Sequence, residues 1–377
     1  GGWWQRTSLP LRLPGLLSVR SLRLDREGGL WIGTAGSGLC RVNRLPTRRF
    51  GAESGLADVG ALARDGDGGA FVASGCRGLF HVDSSGLTRP VRLPAPAEAG
   101  PPPPCGISLA PRPGGGVWAR SGSRLLRLRR ERLEAALVAD DIPPEEGPIL
   151  GSPDGSAWVV SRSGSLHLVS SEGRPLRELR LPGPLMSAAL GPDGALWLGG
   201  DGEVVRVGGD AIDRWGPSKG VPRGLVRDVV PEPDGTVWIG TYGGGVGRLR
   251  AGRVARLTVD QGLPDNSVSR ILDDGRGRMW ISTNRGLAVV RRSELEAAAE
   301  GRYRVMEVVV LGTERGVPEA NFGSPAGFAE KGGRLWFGTI AGAVSVDAAA
   351  FPFNARPPSV RIEEVRALVG LGEVELR

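Results

Sequence analysis

The sequence is poor in most of the side chains that carry chemistry, and it has no long apolar run. Of 377 residues only 2 are His, 2 Tyr, 3 Met and 3 Cys, and Lys219 and Lys331 are the only lysines among 48 basic residues. No G-x-S-x-G, H-E-x-x-H, P-loop or calcium-loop spacing occurs, so neither a catalytic constellation nor a cofactor is expected. Cys40, Cys76 and Cys105 all fall in the first third, without a C-x-x-C or a Cys/His cluster. That pattern excludes a zinc site and a full disulfide framework, and leaves one Cys40–Cys76 bridge as the pairing open in an oxidising compartment. The longest apolar stretch, 305–311, is interrupted by Glu307, far short of the ~20 residues of a membrane helix. The opening GGWWQRTSLP has no initiator Met, basic n-region or apolar h-region, which reads as a mature or excised fragment. Helical periodicity is equally scarce, with ERLEAAL (131–137) and SELEAAAEG (293–301) as the two candidates.

What the chain has instead is turn chemistry. There are 61 Gly and 30 Pro beside 40% hydrophobic residues, the mark of a folded, turn-dense β protein. The net charge of +7 comes from arginines spread along the whole chain. No basic block forms, so nucleic acid is not the expected partner.

An apolar-aromatic pair after a turn recurs eight times, as GGLWIGT (Trp31), GGAFVAS (Phe71), GGVWARS (Trp118), GSAWVVS (Trp158), GALWLGG (Trp197), GTVWIGT (Trp238), GRMWIST (Trp280) and GRLWFGT (Trp336). Successive anchors lie 40, 47, 40, 39, 41, 42 and 56 residues apart. Glycine stands three residues before every anchor, and four of these glycines follow Asp (Asp67, Asp154, Asp193, Asp234). Asp-Gly is a two-residue hairpin signal. Residues just after the anchor are small, which would let neighbouring sheets pack closely. Alternating segments such as VRDVVPE (226–232) and VSRILDD (268–274) precede the hairpins, and short strands such as GLFHVD and SLHLVS follow. Four short antiparallel strands per ~40 residues are the pattern of β-propeller blades, with the anchors buried between blades. The fold expected is thus all-β, a propeller of four-stranded blades. Either the ring has eight blades, with WWQRTSL near the N-terminus completing the last one, or the Trp31 unit belongs to a preceding propeller and seven blades close by themselves.

The consensus V-x-x-I-x-x-D-x-x-G-x-L-W-I-G-T-x-x-G-G-L-x-R, with linkers like DQGLPDNS (260–267), resembles two-component regulator propeller repeats. The Trp31, Trp238, Trp280 and Trp336 units match best. The resemblance implies a propeller over 1–355, followed at 356–377 by a linker and the first strand of a truncated C-terminal β-sandwich. It also implies the periplasmic or extracellular sensor of a bacterial inner-membrane receptor, non-enzymatic in itself, with a receptor homodimer as one expected assembly. Two alternatives remain: a secreted propeller enzyme of the streptogramin lyase type, which would place an acid/base histidine at the ring mouth, and a protein-interaction scaffold. His81 and His167 lie in strands past the turn, and are read as facing solvent or a neighbouring blade.

Loops after the anchor strand converge on one mouth of a propeller. Four residues past the anchor the column diverges from small residues to Arg162, Asp201, Tyr242 and Asn284, with Arg77 and Arg285 flanking the same turns and Arg223, Asn266 and Asn321 in the linkers. These nine residues are the candidate ligand contacts, and their chemistry suits a small polar or anionic ligand, a carbohydrate among the candidates.

Overall fold

Pro153-Asp154-Gly155, Pro192-Asp193-Gly194 and Pro233-Asp234-Gly235 each build the first hairpin of a blade. In the computed structural model only the glycine of each triplet has positive φ, +88°, +76° and +81°. The turn is therefore a three-residue loop closed by Ser152 N–Ser156 O, Gly191 N–Ala195 O and Glu232 N–Thr236 O, with Gly alone left-handed, and not the two-residue Asp-Gly turn expected from the dipeptide. Proline ahead of Asp explains the change, because its ring holds φ near −65°. The Asp carboxylate then caps the turn, accepting the amide of Ser156, Ala195 or Thr236 two residues on.

The structure describes residues 18–25, 29–36, 38–42, 46–94, 105–113, 115–129, 134–139, 142–143, 145–302, 304–317, 326–351, 365–369 and 372–376. All eight repeat units form antiparallel sheets; seven are four-stranded and the Trp31 unit is three-stranded. The four-stranded sheets are numbered here as blade 1 (59–90), blade 2 (108–139), blade 3 (149–180), blade 4 (187–215), blade 5 (226–257), blade 6 (268–311) and blade 7 (327–347). Blade 7 has only three strands of its own and takes its fourth from Thr47–Phe50, which pairs with Gly342–Asp347 in the register Val346↔Thr47 to Ala343↔Phe50. WWQRTSL lies outside the described residues, and the closing strand is this later segment.

The ring closes on seven. Inner strands of consecutive blades touch in chain order, and Gly327–Ala329 of blade 7 touches Val59–Arg64 of blade 1. Each anchor packs onto the next blade: Phe71 against Val117 and Leu126, Trp118 against Ile149 and Val159, Trp158 against Leu196 and Val205, and Trp197 against Val226 and Val229. Trp238 continues onto Val268 and Ile281, Trp280 onto Leu335 and Phe337, and Trp336 of blade 7 returns to Val59 and Leu62 of blade 1. Each such side chain contributes roughly 1.5–3 kcal/mol of apolar burial. The Trp31 unit takes no part in that circle; its strand Val19–Leu24 is exposed along its whole length.

The small residues after the anchor serve the expected end. A Cβ on Gly199 would stand 2.4 Å from Val226 Cγ1 of the next blade, and one on Gly240 would stand 2.9 Å from Val268 Cγ1. Blade 2 breaks the rule with Arg120 at the same column, buried and donating to the carbonyls of Val160 in blade 3 and of Pro143.

Two further expectations are corrected. ERLEAAL is not helical where it is described: Glu134–Ala139 is the outer strand of blade 2, paired with Arg124–Arg129, because sheet pairing outweighs the weak preference of so short a segment. The 293–301 candidate does form a helix, α1 (Arg292–Ala299). Cys76 is bonded to Cys105, and Cys40 is free. Cys40 sits in the separate Trp31 sheet, whereas Cys76 lies in blade 1 and Cys105 in the linker that enters the adjoining blade 2. Past the ring, Val365–Val369 and Gly372–Leu376 form an antiparallel pair. Among the described residues no helix is long and apolar enough to cross a membrane.

Candidate functional site: the channel and its rim

The inner strands enclose a channel holding a cavity of about 740 Å³. Its rim is stitched by backbone hydrogen bonds between post-anchor turns and linkers. Arg162 N donates to Glu146 O, Leu185 N to Arg162 O, Gly202 N to Gly224 O, Tyr242 N to Leu225 O, and Gly243 N to Asn266 O; Asp58 N closes the circle on Ile340 O. The post-anchor loops are thus held against the start of the next inner strand, fixing their backbones in place.

Of the nine residues singled out from the sequence, Arg162 lines the cavity. Tyr242 reaches it through Arg227, whose guanidinium carbon lies 4.4 Å from the centre of the Tyr242 ring. Asp201 and Tyr242 form isolated bridges to Leu225 and Ser267 of the following linkers, and both residues are exposed. Asn266 is spent on structure: its side chain accepts from Val259 N and its carbonyl accepts from Gly243 N and Gly245 N. Asn284 is half-buried, with an Oδ1 that has no hydrogen-bond partner. Arg223, Arg285 and Arg77 are exposed and absent from the cavity wall, although Arg77 adjoins Cys76, which is part of it. Asn321 lies outside the described residues.

The wall also carries charges from outside the post-anchor turns. Arg227, Asp228 and Arg270 come from inner strands of blades 5 and 6, and Asp58 and Glu146 from linkers. In Val226–Pro231 the register jumps from Val226↔Thr241 to Asp228↔Gly240, leaving Arg227 in a β-bulge. Blade 6 has the same bulge at Ser269, and blade 1 at Gly60. A bulge re-aims its side chain, and Arg227 turns toward the next blade, where Nη1 lies 3.3 Å from Ser269 Oγ. Asp228 also crosses that seam, accepting Arg270 Nη1 at 2.8 Å and Ile271 N at 2.7 Å. Burial pushes the Asp228 carboxyl up, against the pull of Arg270 and the Ile271 amide. Burial likewise lowers the Arg227 guanidinium. The alternation of VRDVVPE and VSRILDD was the one available signal, since inner strands of a propeller face its channel.

The histidines are elsewhere. His81 does not face solvent: it is 4% exposed and lies cross-strand from the anchor Phe71, on the same face of the sheet, with Nε2 2.9 Å from Asp65 Oδ2. The carboxylate six residues before an anchor elsewhere accepts the indole N–H, as Asp25 does for Trp31, Asp274 for Trp280 and Glu330 for Trp336. Where Phe71 replaces tryptophan, His81 takes up that oxygen. His167 pairs in register with Val159, one residue past its anchor, and so faces the opposite side of its strand. Among the described residues no three His, Cys, Asp or Glu side chains gather as a metal site.

A closed ring of antiparallel four-stranded sheets, with an anchor from each blade inserted into the next, defines a β-propeller. Two stretches, 13–36 and 262–285, match the family described as Two component regulator propeller. Its fold is similar to the extracellular domain of the putative hybrid two component system BT3049 from B. thetaiotaomicron, with a TM-score of 0.69 and 17% identity over 96% of this chain and 50% of that one. It is similar also to the extracellular domain of the putative one component system BT4673 from B. thetaiotaomicron, with a TM-score of 0.58 and 13% identity over 88% of this chain and 46% of that one. A structure of streptogramin B lyase gives a TM-score of 0.58 and 16% identity over 79% of this chain and 96% of that one. The chain spans about half the length of the two extracellular domains. At these identities the likeness is one of fold. No curated protein sequence matches the chain.

Proposed function

We propose that the chain is the extracytoplasmic, ligand-sensing propeller of a bacterial membrane-bound signalling receptor, binding a small polar or anionic molecule at the channel. The observation that carries the reading is the cavity itself, lined by Arg162, Arg227 and Arg270 and rimmed by backbone-locked loops, in a chain with two stretches that match the two-component regulator propeller family. The Cys76–Cys105 bridge supports an oxidising, extracytoplasmic setting. The lyase alternative finds no support from His81, held in the core of blade 1, or from His167; neither is part of the cavity wall.

Thermal unfolding of the chain against a library of neutral sugars, sugar acids, organic acids and amino acids tests the reading. At least one compound raises Tm in a concentration-dependent way, following RT ln(1 + [L]/Kd), and Arg162→Ala reduces that shift while leaving the unliganded Tm unchanged. A library without any binder, or turnover of streptogramin B by the chain, overturns it. The flanking gene sequence is a second check, with a membrane helix and an output module expected.

A further inference from the structure

Charged and apolar side chains both line the channel, Asp58, Arg64, Glu146 and Arg162 on the side of blades 1 to 3 and Arg227, Asp228 and Arg270 on that of blades 5 and 6. Arg227 and Arg270 stand on either side of the seam between blades 5 and 6. In a ring of seven that seam faces blade 2, whose inner strand contributes Leu109, flanked by Ala61 of blade 1 and Leu150 of blade 3. The two guanidiniums are held by different means. Arg227 is re-aimed by its bulge and laid on the Tyr242 ring. Arg270 is gripped through Nη1 by Asp228, which is 2% exposed and anchored in turn by the Ile271 amide. A guanidinium has five N–H donors, so the one spent on Asp228 leaves most of the fork available. Arg270 Nε has no hydrogen-bond partner.

Two arginines fixed in orientation on one wall, with the apolar side chains of Ala61, Leu109 and Leu150 across the channel, suit a ligand with an oxyanion at one end and an apolar body at the other. A planar guanidinium matches a carboxylate in a fork, at low cost in entropy when its orientation is already set. We propose, on the basis of the sensing reading above, that the channel binds a small organic acid, its carboxylate against Arg227 and Arg270 and its apolar body toward Ala61, Leu109 and Leu150. Asp228 is then a positioning residue, and Tyr242 supports Arg227 from the rim.

The test uses benzoate, phenylacetate and hexanoate with their primary amides, and inorganic phosphate alone, in titration calorimetry and thermal unfolding of the whole chain. At least one carboxylate is expected to bind saturably, its amide at least tenfold more weakly, and phosphate more weakly than the acid. Arg227→Gln lowers the affinity for the acid tenfold or more with an unchanged unliganded Tm, while Arg253→Gln on an outer strand does not. Because Arg270→Gln alone would strand the Asp228 carboxylate, the double variant Arg270→Gln/Asp228→Asn is the second probe, with the same loss expected. Amides that bind as well as acids, phosphate that binds as tightly as the acids, or an affinity indifferent to Arg227→Gln would each overturn the proposal. If none of the acids binds but a neutral sugar of the wider library does, this inference fails and the sensing reading stands; if nothing binds, both fail.

Discussion

Blades 5 to 7 and blades 1 to 3 reach the same architecture by different means. In the regular blades the Thr three residues past the anchor closes its turn, Thr241 Oγ1 donating to Gly245 O, Thr283 to Gly286 O and Thr339 to Gly342 O, at 2.8–2.9 Å. In blade 1 that column holds Ser74, which bonds instead to the backbone of Ala57 in the preceding linker. There the turn is tied down by the Cys76–Cys105 bridge to blade 2, and blade 2 is tied to blade 3 by Arg120. The regular blades carry a local solution written into each repeat. The irregular ones rely on cross-links between blades, which is why their sequences look degenerate while their sheets remain four-stranded.

The comparison is broken most severely at an anchor. Trp280→Ala, removing a fully buried indole bonded to Asp274, should cost about 3–5 kcal/mol in urea unfolding. Trp31→Ala, at the same column in the separate sheet and partly exposed, should cost about 1 kcal/mol or less. Equal losses would contradict a ring of seven. Next comes the bridge: Cys76→Ser opens a link spanning 29 residues and should remove about 3 kcal/mol, reproduced by thiol reduction of the native chain. A smaller effect should follow from the threonine hooks. Thr241→Val, Thr283→Val and Thr339→Val should each lose about 1 kcal/mol, equal within error and additive across the three blades. Unequal values would mean that the hook is not a repeat device.

The smallest effect concerns the Pro-Asp-Gly turns. Hydrogen bonds from Ser156 lower the Asp154 carboxyl, those from Arg206 and the Ala195 amide lower Asp193, and those from Thr236 lower Asp234. Folded values below the unfolded one of about 3.9 mean that this stability is present above about pH 4 and is lost as pH falls through the folded values. The triple Asp→Asn variant should therefore show a shallower decline in Tm on acidification below pH 4 than the parent. Parallel curves would sink the assignment.

The fold was legible because its signals are short-range and repeated. Eight aromatic anchors, the glycine before them and the small residues after them are each set within seven residues, and the structure uses them as the pattern implies. The site was legible only in part. Arg162 and Tyr242 could be found by aligning turns, but Arg227 and Arg270 depend on which face of an inner strand meets the channel. For Arg227 that is decided by a bulge that shifts the side-chain alternation by one residue. Nothing in the spacing of VRDVVPE distinguishes a bulged strand from a regular one.

By itself the sequence determined the repeat, its hairpins and the interdigitation of anchors with neighbouring sheets, since all of these follow from contacts within a unit or between consecutive units. Tertiary structure decided how many units close. Every unit presents much the same packing surface, so local energetics cannot tell the first from the last. Only completion of the turn brings Trp336 onto Val59 and Leu62 and sets Thr47–Phe50 beside Gly342–Asp347, almost a chain length away. The same closure brings the arginines of blades 5 and 6 around to face blade 2 across one channel.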